Sequence, residues 1–208
     1  MTVSSINGIP FTSLSAIDGR TLSTLSAVNG QTIASAFSIT WTGITGATES
    51  PTGVLTKTAA DGWGNCGAVS VETEAGDARF TVYAEDYTKN YFLGIGADSS
   101  CNNFNTVDFG VHYNLNSAEV RIYKNGVGGV NLLGLGAQSI MIVTERIGTN
   151  FDYYYLLYTG TRPAPTDAGR THWDGPTVGT GSALYVNCAM YFVANSVVDA
   201  ANLLWEAI

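Results

Sequence analysis

The sequence predicts an all-β protein: an antiparallel jelly-roll β-sandwich over residues 37–208, preceded by a short repetitive segment over residues 1–36. Three observations carry that prediction. Short runs with period-two alternation recur through the longer part, separated by turn signals and without a βαβ rhythm. The composition suits many tight turns and aromatic-rich strands, with 24 Gly, 11 Tyr, 8 Phe and 4 Trp. Charged residues make up only 12%, against about 25% in an ordinary globular chain, which fits a subunit that spends its life inside an assembly.

The opening segment says nearly the same thing three times: Ile6-Asn7-Gly8, Ile17-Asp18-Gly19 and Val28-Asn29-Gly30. Asn-Gly and Asp-Gly are the strongest short turn signals, because both positions tolerate positive φ. An apolar residue precedes each turn (Ile6, Ile17, Val28), another follows three residues after its glycine (Phe11, Leu22, Ile33), and Leu14, Leu25 and Ala36 close the units. Units this short cannot hold a core of their own, so their apolar side needs a neighbour. Ile6, Phe11, Leu14, Ile17, Leu22, Leu25, Val28 and Ile33 are therefore the candidate assembly residues of an anchoring or oligomerisation stalk. The alternative is a segment folded back on the following domain, or a linker.

From Phe37 onward longer strands are expected. FSITWTGI is a first candidate. DARFTVYAED alternates Ala78, Phe80, Val82 and Ala84 against polar neighbours, as a half-buried strand should. NYFLGIGA places Gly94 and Gly96 on the face of Phe92. TVDFGVHYNL puts Val107, Phe109, Val111, Tyr113 and Leu115 on one side, with Asp108, His112 and Asn114 on the other. AEVRIYKNGVG runs into an Asn125-Gly126 turn, and SIMIVTERIGTNFDYYYLLYTG reads as a hairpin turning at IGTN. In its second strand, Tyr154 and Tyr158 share a side opposite Tyr153 and Tyr155. ALYVNCAMYFVAN supplies closing strands, and SVVDAANLLWEAI reads as a short helix or a last strand.

A formal net charge of −8 with nine basic residues argues against nucleic acid, which demands clustered Lys and Arg. No apolar run approaches the roughly 20 residues of a bilayer span, and the N-terminus lacks a basic-then-apolar signal, so neither membrane insertion nor signal-directed export is expected. Cys66, Cys101 and Cys188 have no ligand spacing and are read as unpaired thiols. Glu72 and Glu74 alternate in VETEAGD, about 6.6 Å apart along a strand, but no third acid accompanies them and two surface carboxylates are expected rather than a catalytic pair. His112 and His172 have no nucleophile elbow beside them. The oxygen-rich loops DGWGN and ADSSCNNFN lack the spaced acids of a strong calcium site. No catalytic residue, metal site or cofactor is assigned.

The stretch most suited to recognition is residues 159–182, long for a connection inside a compact domain. It carries Arg162, Arg170, His172, Trp173 and Asp174. An exposed indole beside charged groups offers a sugar an apolar plate and hydroxyl partners. Trp173, Asp174, His172 and Arg170 are the candidate ligand residues, with Trp63 of DGWGN a second plate. Whether Trp173 is exposed or tucked into the sandwich edge as an anchor stays open on composition alone.

Residues 78–160 carry a resemblance. Gly94-Ile95-Gly96, Asp108-Phe109, Ile122-Tyr123-Lys124-Asn125-Gly126 and the Tyr153–Tyr158 strand resemble a module of large bacterial surface proteins and some phage structural proteins, whose members are concanavalin-like β-sandwiches of the lectin and glucanase type. Lys124 stands where that module usually has Glu. The Asn-Gly repeats resemble the attachment regions of bacteriophage tail or head fibres. The resemblance implies a virion fibre or spike component, made in the host cytoplasm and carried out in the particle. Other virion proteins, identical copies (a trimer by fibre architecture) and a host-surface carbohydrate are the implied partners. Two alternatives remain: a structural virion decoration or tail subunit without ligand, and a glycan-cleaving enzyme through Glu72 and Glu74.

Overall fold

The computed structural model describes residues 39–85, 90–114, 119–133, 139–167, 169–178, 182–192 and 197–208, together with the backbone of residues 5–6, 9–10, 16–17, 20–21, 27–28, 31–32 and 36–37. In the repeats, β1 (Ser5–Ile6) pairs with β2 (Ile9–Pro10), β3 (Ala16–Ile17) with β4 (Arg20–Thr21), and β5 (Ala27–Val28) with β6 (Gln31–Thr32). The innermost pairs are Ile6↔Ile9, Ile17↔Arg20 and Val28↔Gln31. Each unit is thus an antiparallel hairpin with two residues between its strands, the register a two-residue Asn/Asp-Gly connection demands. Of the candidate assembly residues, Phe11, Leu14, Leu22, Leu25 and Ile33 lie outside the described residues.

The remaining strands are β7 (Ala36–Phe37), β8 (Trp41–Thr45), β9 (Ala47–Glu49), β10 (Val54–Lys57), β11 (Gly67–Glu74), β12 (Ala78–Ala84), β13 (Asn90–Gly96), β14 (Phe109–Asn114), β15 (Glu119–Lys124), β16 (Val127–Leu133), β17 (Ser139–Ile147), β18 (Asn150–Tyr158), β19 (Thr171–Val178), β20 (Leu184–Met190), β21 (Val197–Asp199) and β22 (Leu203–Ala207). A seven-stranded sheet in the order β16-β15-β14-β13-β20-β11-β8 packs on a six-stranded sheet in the order β19-β18-β17-β12-β22-β7. Every pairing is antiparallel. A three-stranded sheet, β21-β10-β9, contributes Leu55 and Val198 to the same core. This is the antiparallel jelly-roll sandwich the alternation predicts.

The two inner faces meet as the period-two pattern requires. Phe80 and Val82 of β12, Phe109, Val111 and Tyr113 of β14, and Phe151 and Tyr153 of β18 are buried in one cluster. Phe109 stacks on Phe151 across the sheets, ring centroids 3.7 Å apart and nearly parallel. Tyr154 and Tyr158 pack on the outer face with Tyr83, Met141 and Val143. Arg146 is wholly buried; its guanidinium donates to the carbonyls of Glu74 (2.9 Å), Ser182 (2.8 Å) and Gly76 (2.8 Å from Nε), tying the β11–β12 turn to the start of β20. Burial draws its pKa below the usual guanidinium value, against the pull of Glu74 and Asp77.

Two expectations need correction, and one alternative is decided. Residues 171–178, read as part of a long loop, form β19 at the edge of the six-stranded sheet. Gly175 and Pro176 disguise it, and an edge is where a strand tolerates proline. Val107 does not continue the inward face of β14 but follows a 3-10 turn (Phe104–Thr106) and packs outside. The C-terminal stretch, read as a short helix or a last strand, is strand: β21 and β22 flank a second 3-10 turn, Ala200–Asn202.

Candidate functional site

Register lays out the outer face of the seven-stranded sheet as a grid. One row runs Arg121, His112, Phe92, Ala189 and Gly67; the next runs Tyr123, Gly110, Gly94, Asn187 and Val69. The glycine column is what lets other chain segments lie on this face. A side chain at Gly67 would collide with the Cys101 carbonyl oxygen at 2.2 Å, and one at Gly94 with Val107 Cγ1 at 2.7 Å. Loop 97–108 therefore lies flat across the strands. Its Cys101 and Val107 form a second small core with Val69, Phe92 and Ala189.

Onto that layer folds loop 58–66, and the two loops bring aromatic rings together. Trp63 lies 5.1 Å from Phe104, 5.2 Å from Tyr191 and 5.6 Å from His112, centroid to centroid. Tyr123 closes the group, 5.5 Å from Phe104. Trp63, Phe104, His112, Tyr123 and Tyr191 are all half-buried. Amides line the side nearest His112. Asn90 Nδ2 donates to Asn114 Oδ1 (3.1 Å), and Asn131 Oδ1 accepts from Arg121 Nε. With its nitrogen donating, Asn90 offers its oxygen to His112 Nε2 at 3.2 Å, which places the proton of the neutral imidazole on Nε2. Burial, with Arg121 adding repulsion, pulls the His112 pKa down to about 4, so the ring is uncharged at neutral pH. Aromatic faces bordered by amides can stack on an apolar ring surface and hydrogen-bond hydroxyls.

The residues expected to form a ligand site do not converge. Trp63 belongs to this aromatic cluster. Arg170 and His172 lie on the opposite outer face, that of the six-stranded sheet. There Arg170 pairs with Glu145 at 2.7 Å and lies 4.1 Å over the Tyr154 ring, and His172 Nε2 is 3.4 Å from Asp152 Oδ1. Arg162 grips Glu85 at 2.7 Å, and the Pro163 carbonyl accepts from Tyr83 Oη. Arg162 and Tyr158 together hold the Glu85 carboxyl at about 2. Residues 159–167 and 169–170 are thus a strap latched to their own sheet.

Trp173 is not an exposed plate. Strand alternation in β19 turns it inward, where it is 9% exposed and packs edge-on against Tyr155 at 5.9 Å. Asp174 follows in register with Tyr153.

Glu72 and Glu74 serve the backbone, accepting from the amides of Thr40 (2.9 Å) and Gly76 (2.7 Å). Cys66, Cys101 and Cys188 are buried free thiols, and burial pushes Cys101 up to about 11. Among the described residues no cluster of three His, Cys, Asp or Glu side chains could hold a metal ion.

Sequence reasoning placed His112 on a polar strand face but missed its partners. Phe104 and Tyr191 sit in connections, where no periodicity marks them. The signal that was legible is the run of glycines on one face of adjacent strands, which announces something lying on the sheet.

No family model matches the chain, and no curated protein does. Among solved structures it is similar to the exoplasmic/lumenal domain of VIP36 in a Ca2+/Man3GlcNAc-bound form, at 7% identity over 81% of this chain and 83% of that one, TM-score 0.46. It is also similar to the carbohydrate binding module CBM66 from Bacillus subtilis, at 11% identity over 83% and 90%, TM-score 0.38. The CBM2 module of the evolved Dit of Lactobacillus casei BL23 phage J-1 is similar at 11% identity over 81% and 87%, TM-score 0.36. The fold assignment itself rests on the sheet order and register described above.

Proposed function

We propose that the sandwich is a non-enzymatic glycan-recognition domain, and that its aromatic cleft around Trp63 is the binding surface. The observation that carries this reading is the convergence of Trp63, Phe104, His112, Tyr123 and Tyr191 on one face, half-exposed and bordered by Asn90, Asn114 and Asn131. Aromatic plates with amide neighbours match a hexopyranose, which offers an apolar face and a rim of hydroxyls. The hairpin repeats attach the domain to a phage particle as part of a fibre or spike, directly or through identical copies, and present the cleft to a host-surface carbohydrate. Three hairpins with the same register and apolar spacing fit a repeated docking unit better than a linker.

Binding of the full-length protein and of Trp63→Ala to an array of host-surface glycans tests the reading. Loss of a central aromatic plate is worth about 2 kcal/mol or more, a drop of about thirtyfold. Binding that survives Trp63→Ala refutes the cleft, and no binding to any host glycan favours a structural decoration. Light scattering on the full chain and on a chain starting at residue 35 tests the repeats; an unchanged oligomeric mass rules out their role in self-assembly.

A further inference from the structure

Lys57, the last residue of β10, is a lysine almost wholly removed from solvent, at 2% exposure. Its Nζ donates to Asn65 Oδ1 at 2.6 Å, to the Met190 carbonyl at 3.0 Å and to the Gly62 carbonyl at 3.3 Å. Those are three donors for three acceptors, the full capacity of an ammonium group. The acceptors come from loop 58–66 and from the end of β20: Gly62 and Asn65 flank Trp63, and Met190 precedes Tyr191. Desolvation works against the charge and lowers the Lys57 pKa, while Asp61 and Cys66 work in its favour.

The rest of loop 58–66 is arranged around this ammonium. Asn65 Nδ2 donates to the Ala60 carbonyl (2.9 Å), the Gly62 amide to the Tyr191 carbonyl (2.9 Å), and the Gly64 amide to the Asn102 carbonyl (3.0 Å). Gly62 and Gly64 adopt positive φ on either side of Trp63. The loop has few buried apolar contacts of its own; Trp63 is its large one. What closes it is an oxygen cage around a cation, and the cation is a side chain.

We infer that Lys57 is the positioning residue of the recognition cleft: its buried ammonium is an internal cation around which loop 58–66 closes, setting Trp63 against Phe104 and Tyr191. The inference rests on the cleft being the binding surface, but its physical content, a loop organised by one ammonium, stands apart from that.

Hydrogen exchange on the full-length protein, read by mass spectrometry, tests it. In Lys57→Met, which keeps the stem and removes the charge, peptides covering residues 58–66 should exchange about tenfold faster or more, since charge-assisted bonds to three carbonyl-type oxygens are lost. Peptides from the β17–β18 hairpin should be unchanged, and Trp63 should become more accessible to acrylamide quenching. In Lys57→Ala, methylammonium should restore protection of residues 58–66 and tetramethylammonium, too large for the cage, should not. Wild-type exchange in Lys57→Met overturns the inference, as does equal action of the two ammonium ions. If Lys57→Met does not fold, Lys57→Ala refolded with and without methylammonium decides, and absence of rescue overturns it. Failure of the wild-type protein to bind any glycan would remove the cleft reading while leaving the exchange result to judge Lys57.

Discussion

Gly94 supports the whole outer layer, and a single methyl group tests that. A Cβ at this position would stand 2.3 Å from the Phe109 carbonyl oxygen, 2.5 Å from the Gly110 Cα and 2.7 Å from Val107 Cγ1. Two of the three neighbours are backbone of β14, and the third is a methyl that caps the second core. Relief demands that β13 and β14 separate by about an ångström, yet both carry buried inner-face residues, Leu93 and Ile95 on one and Val111 and Tyr113 on the other. The cost should therefore lie near the top of the overpacking range, about 3 kcal/mol. For a chain of this size that is a fall in Tm of about 6–12 °C. Gly148 is the control: φ is +60° there, but an added Cβ meets nothing within 4 Å. Gly148→Ala should thus lose only the left-handed backbone penalty of about 1 kcal/mol, or about 2–4 °C. Scanning calorimetry on both variants gives the comparison. A Gly94→Ala protein that melts within about 2 °C of the wild type, or above Gly148→Ala, would refute the claim that glycines make room for loop 97–108.

Two further outcomes follow from buried titratable groups. His112 titrates at about 4 in the fold and near 6.5 when unfolded. Protons in that window bind the unfolded chain preferentially. The stability held above pH 6.5 should then fall, as pH drops through about 4, by about 3 kcal/mol. Urea midpoints at pH 7 and 4.5 should move less in His112→Asn than in the wild type; equal movement would contradict the burial of the ring. Arg146→Met leaves the carbonyls of Glu74, Gly76 and Ser182 without their donor. Since Gly76 and Ser182 lie at the surface and can take up water, the loss should be about 3 kcal/mol rather than the larger sum of three orphaned groups. Denaturant unfolding measures it, and a loss under about 0.5 kcal/mol would mean the guanidinium ties nothing.

Alternation was enough to orient most of the sandwich. Ala78, Phe80, Val82 and Ala84 face inward, and His112 and Asn114 lie opposite Val111 and Tyr113, because a half-buried strand cannot hide which side is wet. The IGTN turn was legible for the same reason, with Ile147 paired to Asn150. β19 was not legible, since an edge strand needs fewer ladder bonds and tolerates the Gly and Pro that elsewhere signal a loop. That one misreading displaced the expected site, because a strand sends neighbours to opposite faces: His172 went out and Trp173 went in. The cleft was harder still. Trp63, Phe104 and Tyr191 come from three connections whose meeting depends on glycines at 67, 94 and 110 and on a lysine forty-seven residues before Phe104, and nothing local records such a meeting.

The attachment of β7 sets how the domain would carry a mechanical load. β7 joins the sheet through two backbone pairs to β22, Phe37↔Trp205 and Ala36↔Glu206, whereas β22 is held to β12 from Ala78↔Ala207 to Val82↔Leu203. Tension applied on the N-terminal side of β7 would therefore meet the weakest rungs first. Ala36 and Phe37 should peel away and lengthen the tether while β22, anchored by the fully buried Trp205, stays in the sheet. A domain pulled through such a strand would yield by a short, reversible step and keep its folded body intact under strain.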